Sequence, residues 1–197
     1  MKPMLEKILN ASIDILINEG FAALNTRNIA KKVNIKPSSL YNHISRKFDV
    51  FIFISEHFFS DIIYPKKAKE PKTFLIELFN NFRKELLKYR HITSIFLEVV
   101  PDSPKYLEFY QKAMESINKM GIDKKYCFSY FNLIFNYVLM YVYDEEYFKD
   151  KFQYNETAEP ALFYDKSLKE MDFDKYFVNG LEIILDGFIS RKSRKHH

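Results

Sequence analysis

A chain of 197 residues has room for one ordinary domain and a small second one, and 47% hydrophobic residues can build a sizeable core. Only 4 glycines and 7 prolines, with no alternating Val/Thr/Tyr runs, exclude a turn-rich sheet protein and favour an all-α fold. The net charge of +4 is uneven: residues 1–47 hold eight Lys/Arg against three Asp/Glu, residues 48–190 eighteen against twenty-three, and Arg191, Lys192, Arg194 and Lys195 add four more positives, so a polyanion suits the head and not the body.

From Met4 to Glu19, Leu5, Ile8, Leu9, Ile15 and Leu16 recur at helical spacing with Ser12 completing the stripe. Gly20 follows where a left-handed C-terminal residue is expected. Asn25 can cap a second helix over about Thr26–Val33, with Ile29, Ala30 and Val33 inward. Asn34 tolerates the positive φ of a tight turn, Ile35 plugs that turn into the core, and Pro37 opens a third helix through about His43. A fourth helix runs from Arg46 or Lys47 to Ile63. Tyr64 to Lys72, with two prolines and four lysines, is the clearest break. Beyond it, helices are expected at about 72–89, 93–100, 103–119, 123–147, 160–170 and 173–191, for about nine or ten in all.

Three short helices in the first 45 residues, the last two joined by a turn of about four, fit a helix-turn-helix. Such a motif braces one helix on the DNA backbone and lays the start of the next along the major groove. Lys36-Pro37-Ser38-Ser39-Leu40-Tyr41-Asn42-His43 meets that need: Leu40 turns inward and the polar side chains face out. The same segment also suits a plain solvated surface. Ile8-Leu9-Asn10-Ala11, Leu16-Ile17-Asn18-Glu19-Gly20-Phe21, Leu24-Asn25-Thr26-Arg27-Asn28-Ile29-Ala30 and Ser39-Leu40-Tyr41-Asn42-His43-Ile44-Ser45-Arg46-Lys47 together resemble the DNA-binding domain of the tetracycline-repressor (TetR) family. The resemblance runs without gaps through about the first 50 residues and departs at Asn34, where the family commonly has Gly.

The resemblance implies a DNA-binding domain over 1–47 and a ligand-binding and dimerisation domain over 48–197, with helix 48–63 connecting them. It implies that Thr26 and Arg27 contact phosphate or a groove edge, and that Lys36, Pro37, Ser38 and Ser39 read bases. Tyr41, Asn42 and His43 then continue the DNA-facing side, with Tyr41 and His43 on phosphate, and Lys47 grips the backbone. Tyr41 could instead pack on Leu24 or Ile29, and His43 could be a helix-end cation. Lys31 and Lys32 read as solvated.

Further on, Phe74-Leu75, Phe82-Arg83, Leu86-Leu87, Arg90, Leu97 and Pro101 resemble the tetracycline-repressor subgroup itself. So does the stretch from Ala161-Leu162 to Phe177-Val178-Asn179-Gly180-Leu181-Glu182-Ile183-Ile184-Leu185-Asp186-Gly187. Tyr126–Val142 is apolar almost all round, broken by Ser129, Asn132 and Asn136; these residues and the tyrosines argue against a membrane span. The last helix sets Gly180 and Gly187 seven apart beside Phe177, Leu181, Ile184 and Phe188. The family pairs these two helices with their symmetry mates, so Ser129, Asn132, Asn136, Phe177, Gly180, Leu181, Ile184, Gly187 and Phe188 are the expected homodimer interface; a purely internal core is the alternative. Cys127, the lone cysteine, reads as a small buried hydrophobe.

Candidates for an effector pocket are Phe74, Leu78, Phe82, Phe96, Val99, Tyr110, Met114, Phe131 and Phe135, although such a stripe equally makes ordinary core. The subgroup's tetracycline–magnesium site needs a histidine and a threonine where Phe96 and Val99 align, and an asparagine where Leu78 aligns. The expected effector is therefore small and largely apolar or aromatic, with no metal or cofactor. His57 and Asp61 share a helical face but lack an evident third ligand. No phosphate loop, Cys-x-x-Cys or Ser/His/Asp spacing points to an enzyme. The start Met1-Lys2-Pro3-Met4-Leu5-Glu6 lacks a secretory apolar run, so the expectation is a cytoplasmic regulator, most simply a repressor on a palindromic operator. The alternatives are a dimeric DNA-binding regulator with no small-molecule effector and a ligand carrier whose head has lost DNA.

Overall fold

The computed structural model describes residues 3–68, 70–99, 102–154 and 172–193, with the side chains of Lys47, 151–154 and 191–193 outside that description. Every described element is a helix: α1 (Pro3–Glu19), a 3-10 turn (Phe21–Ala23), α2 (Thr26–Lys32), α3 (Pro37–Leu40), α4 (Lys47–Ser60), α5 (Pro71–Leu86), α6 (Ile92–Glu98), α7 (Pro104–Lys119), α8 (Lys124–Tyr154) and α9 (Phe173–Ser193). The helix expected at 160–170 lies outside the described residues. Among these helices none is long and apolar enough to cross a membrane.

By contacts the chain divides into two compact units, Met1–Ile63 with Lys84–Lys112, and Tyr64–Arg83 with Ala113–His197. In the first, the α1 stripe buries Ile8, Leu9, Ile15 and Leu16 as its spacing predicts, and Ser12 is accommodated by donating to the Ile8 carbonyl at 2.7 Å. Gly20 ends α1 at φ 87°, where a Cβ would be strained, and its N–H reaches the Leu16 carbonyl at 3.2 Å. Ile29, Ala30, Leu40, Ile44, Val50 and Phe51 complete the core of the head.

Several helix ends differ from the periodicity. α4 stops at Ser60, whose hydroxyl turns back to the His57 carbonyl, so Ile63 falls beyond the helix and is exposed. α8 runs on to Tyr154, past the expected 147, because Glu145 and Lys149 bridge one turn at 2.6 Å and Glu145 is itself held in the interior.

The second unit is cored by Leu75, Phe79 and Phe82 from α5, Phe131, Phe135, Val138 and Val142 from α8, and Phe177, Leu181, Leu185 and Phe188 from α9. Cys127 is buried there, its thiol against the Ile122 and Asp123 carbonyls, and burial pushes its pKa up.

Candidate nucleic-acid interface

The helix-turn-helix is assembled by local signals. Asn25 caps α2 by accepting the Asn28 N–H at 3.0 Å, and the Asn28 amide returns to the Ala23 carbonyl at 2.9 Å. After α2 the chain turns at Asn34, φ 57°, the left-handed value a short polar side chain tolerates. Ile35 is only half-buried; its N–H, bonded to the Ala30 carbonyl at 3.0 Å, closes the turn instead.

Pro37 is the first residue of α3, where its missing N–H costs nothing. The helix is one turn long, Pro37–Leu40, and the expected extension to His43 is a series of turns closed by His43 N–H and Ile44 N–H on the Leu40 carbonyl. Leu40 is fully buried, which anchors the turn and leaves Lys36, Pro37 and Ser38 exposed and Ser39 half-buried. Tyr41 is 53% exposed, so most of its ring is open to a partner rather than packed on Leu24 or Ile29. Asn42 is exposed and His43 half-buried. On α2, Arg27 is exposed and Thr26 half-buried. Lys47 is the first residue of α4, with its side chain outside the described part.

Three acidic groups to which sequence reasoning gave no role shape this surface. Asp49 accepts the backbone N–H groups of Ser45 and Arg46 at 2.6 and 2.9 Å, which fixes the chain as it enters α4. The signal was a carboxylate three residues into the helix. Asp14 on α1 pairs with Lys32, and Glu19 lies 3.4 Å from the same ammonium. The hydrogen bond to Lys32 holds the Asp14 carboxyl below its usual range, and Asp14 raises the lysine in return. Lys32 therefore serves the α1–α2 contact, whereas Arg27, Lys31, Lys36 and Arg46 present exposed cations.

The expected effector residues fall into two aromatic clusters. In the first unit Phe96 packs on Phe58 and Phe59 with ring centroids 5.3 and 5.5 Å apart, and Phe59 continues to Tyr106 and Phe109. Val99 and Tyr110 are half-buried. In the second, Phe82 stacks on Phe135 at 5.2 Å, Phe135 on Phe131 at 5.4 Å, and Phe131 meets Phe79. Leu78 is buried, and Phe74 and Met114 are half-buried. His57 and Asp61 both turn toward Tyr89, which donates to Asp61 at 3.0 Å; among the described residues no cluster of three metal-ligating side chains is found.

The residues expected to meet a second copy divide by helix face. Phe177, Leu181 and Phe188 are buried within the chain: Tyr137 stacks on Phe177 at 5.6 Å and Tyr130 meets Phe188 edge-on at 4.1 Å. Gly180 also serves the chain itself, since a Cβ there would come within 2.9 Å of Tyr137 Cζ. Ser129, Asn136 and Gly187 are exposed, Asn132 and Ile184 half-buried, and nothing lies within 4 Å of a Cβ built on Gly187. The outward face is completed by residues not anticipated: Leu133, Met140, Tyr143 and Tyr147 on α8, and Tyr176 and Ile183 on α9, each at least 45% exposed.

Residues 64–191 match a family model described as tetracyclin repressor-like, C-terminal domain. The class D tetracycline repressor protein of Escherichia coli is 29% identical over 107 residues, which is 51% of this chain and 48% of that protein. The chain thus matches about half the length of that relative. Among solved structures, BioQ of Mycobacterium smegmatis superposes with a TM-score of 0.77 at 18% identity, over 94% of this chain and 97% of BioQ. ActR of Streptomyces coelicolor in complex with actinorhodin gives 0.75 at 20% identity, over 96% and 97%. At these identities the likeness is one of fold.

Proposed function

The chain belongs to the TetR family of DNA-binding transcription regulators, which are not enzymes, and from that footing we propose that it is a repressor that grips a palindromic operator as a homodimer and is released by a small, largely apolar or aromatic effector. One observation carries the reading most: buried Leu40 anchors α3 while Lys36, Pro37 and Ser38, like Arg27 on α2 and Tyr41 after α3, stay exposed.

In this reading Lys36, Pro37, Ser38 and Ser39 read base edges. Arg27, Tyr41, His43 and Lys47 neutralise or donate to phosphates, Thr26 supports them at the start of α2, and Asn42 lies on the same side. Exposed Arg46, next to Lys47, adds a further phosphate contact.

The dimer is supported by the outward stripe of α8. Ser129, Leu133, Asn136, Met140, Tyr143 and Tyr147 recur at steps of four and three residues, beside Tyr176, Ile183 and Gly187 of α9. Four of these six α8 positions are large apolar or aromatic residues left exposed, which suits an association surface. Two heads related by a two-fold axis then read half-sites about one DNA turn apart.

The effector is supported by the aromatic clusters and by ActR, whose structure holds actinorhodin. A second reading, a dimeric regulator with no small-molecule effector, is favoured by how closely Phe82, Phe131 and Phe135 pack on one another. Thermal shifts with apolar aromatic compounds separate the two, because a true effector raises the melting temperature with its concentration.

The operator reading is tested by selecting bound fragments from genomic DNA and repeating the shift with the double variant Tyr41→Ala/Lys47→Ala. The variant should lose the fragment and remain a dimer. If it shifts the fragment like the wild type, these contacts are misassigned.

A further inference from the structure

Three donor atoms of the first unit converge where α4 ends. His57 and Asp61, one helical turn apart, set Nε2 and Oδ2 4.0 Å from each other. Tyr89, in the turn between α5 and α6, brings its phenol oxygen to 3.4 Å from that nitrogen and 3.0 Å from that carboxylate oxygen. These distances form an acute triangle, and the point equidistant from its corners lies about 2.1 Å from each, the length of a zinc–nitrogen or zinc–oxygen bond. We propose that His57, Asp61 and Tyr89 hold a divalent transition ion of the zinc and copper class. The site needs no effector, and it is separate from Leu78, Phe96 and Val99, where the tetracycline–magnesium ligands of the subgroup align.

The donor set fits such an ion. Imidazole suits zinc and copper and sets them apart from magnesium and calcium, which take oxygen alone. Among the described residues no third imidazole, thiol or carboxylate joins His57 and Asp61, so the phenol completes the set. It stands 28 positions beyond Asp61, out of reach of helical spacing. The phenol has one proton, which it gives to Asp61, and its contact with the imidazole is the longer one. Burial, the bond to Asp61 and the negative charges of Asp61 and Glu85 push the Tyr89 phenol above its ordinary pKa. A cation among the three donors reverses that balance, and the phenol proton passes to water as its oxygen becomes a ligand.

The frame around the donors is already built. Phe58 and His57 meet the Tyr89 ring edge-on at 5.7 and 6.2 Å. The Tyr89 N–H closes the end of α5 on the Leu86 carbonyl, and its own carbonyl accepts the Ile92 N–H at the start of α6, both at 3.0 Å. Asp61 caps α4, its N–H on the Phe58 carbonyl. The His57 and Asp61 side chains are 39% and 43% exposed, so an ion has a way in and water can take a fourth position. An ion bound here joins the end of α4 to the turn that starts α6.

Zinc and copper(II) are titrated calorimetrically into the full chain and its variants Tyr89→Phe, His57→Gln and Asp61→Asn. His196 and His197 are present in every sample and set the background. Wild type should take up one ion per chain above that background, and each variant should bind zinc at least about tenfold more weakly. Tyr89→Phe keeps its ring against Phe58 and should fold, which circular dichroism of the metal-free chains checks; His57→Gln, on the half-exposed side, gives a second comparison. Copper should also raise a visible phenolate-to-metal absorption band in wild type that is absent from Tyr89→Phe.

Equal zinc affinity in wild type and either Tyr89→Phe or His57→Gln overturns the site, as does a copper complex without the band. Binding that survives all three substitutions marks an adventitious ion only, held by the terminal histidines.

Discussion

Arg83 on α5 and Glu145 on α8 lie 62 positions apart and meet in the interior, where the guanidinium gives Nε and Nη2 to one carboxylate oxygen at 2.9 and 2.7 Å. Both side chains are 1% exposed, Nη1 reaches Asp174 of α9 at 2.6 Å, and the cation lies 5.0 Å from the Phe177 ring centre. Three helices are thus tied at one point. Arg83→Met leaves the buried Glu145, among the described residues, with Lys149 as its remaining ion-pair partner and should cost about 3–5 kcal/mol in urea denaturation. Arg83→Met/Glu145→Leu, with neither charge left inside, should lose less than the single variant. Asp174→Asn, whose carboxylate is 75% exposed, should cost under about 1 kcal/mol. A single Arg83 variant as stable as wild type would show that the tie carries no net stability.

Tyr137 of α8 offers a test by pH. Its hydroxyl donates to the Phe177 carbonyl at 2.9 Å, and burial pushes the phenol from 10.0 up to about 12 against the lowering effect of Arg83. The folded chain thus keeps the proton that the unfolded chain gives up sooner. The contribution to stability is complete below pH 10 and is lost progressively as the pH climbs toward about 12. Tyr137→Phe should cost about 1 kcal/mol at neutral pH and flatten the alkaline limb of the stability curve. An unchanged slope between those pH values would assign the alkaline loss to other groups.

Legibility from the sequence followed the range of the forces. The head was readable because its signals are local: Asn25 three residues before the N–H it caps, Gly20 and Asn34 at their left-handed positions, Leu40 inside a polar segment. Which face of α9 turns outward was not readable. Phe177 and Leu181 point in while Tyr176 and Ile183 point out, and an apolar stripe on either side satisfies the same periodicity. Only contact with Tyr137 and Tyr130 decides the rotation. Arg83 with Glu145 and Asp14 with Lys32 were equally hidden, since each partner alone reads as an ordinary surface charge.

The head's cations should separate by salt dependence. Lys32 is held by Asp14 and Glu19 and so releases no counterion on binding DNA, whereas Lys36 stands exposed at the start of α3. Lys36→Ala should weaken operator binding and reduce the slope of log affinity against log salt by about 1. Lys32→Ala should leave that slope unchanged and act only on stability. Equal slope changes in the two variants would mean that Lys32 leaves Asp14 to reach phosphate.

Tetracycline with magnesium should not release the operator. Leu78 is fully buried on α5 and Phe96 is engaged with Phe58 and Phe59, so neither position supplies the oxygen or nitrogen that a hard cation and a polar drug require. A gel-shift titration with both added decides this. Release at micromolar drug would mean that other residues of the chain supply the donors.

The two glycines of α9, alike in sequence, should behave oppositely. Gly180→Ala brings a methyl against the Tyr137 ring, which is pinned by its stack on Phe177 and its bond to the Phe177 carbonyl. Overpacking of about 1–3 kcal/mol then outweighs the gain in helix propensity of about 1 kcal/mol. Gly187→Ala meets nothing within 4 Å, so in the isolated chain it should stabilise by about 1 kcal/mol. If two copies pair through this face, the same methyl keeps the helices apart and the dimer dissociates at higher concentration. Sedimentation together with thermal melting distinguishes these effects. A more stable chain with unchanged self-association would move the interface away from Gly187, toward the Leu133–Tyr147 stripe of α8 alone.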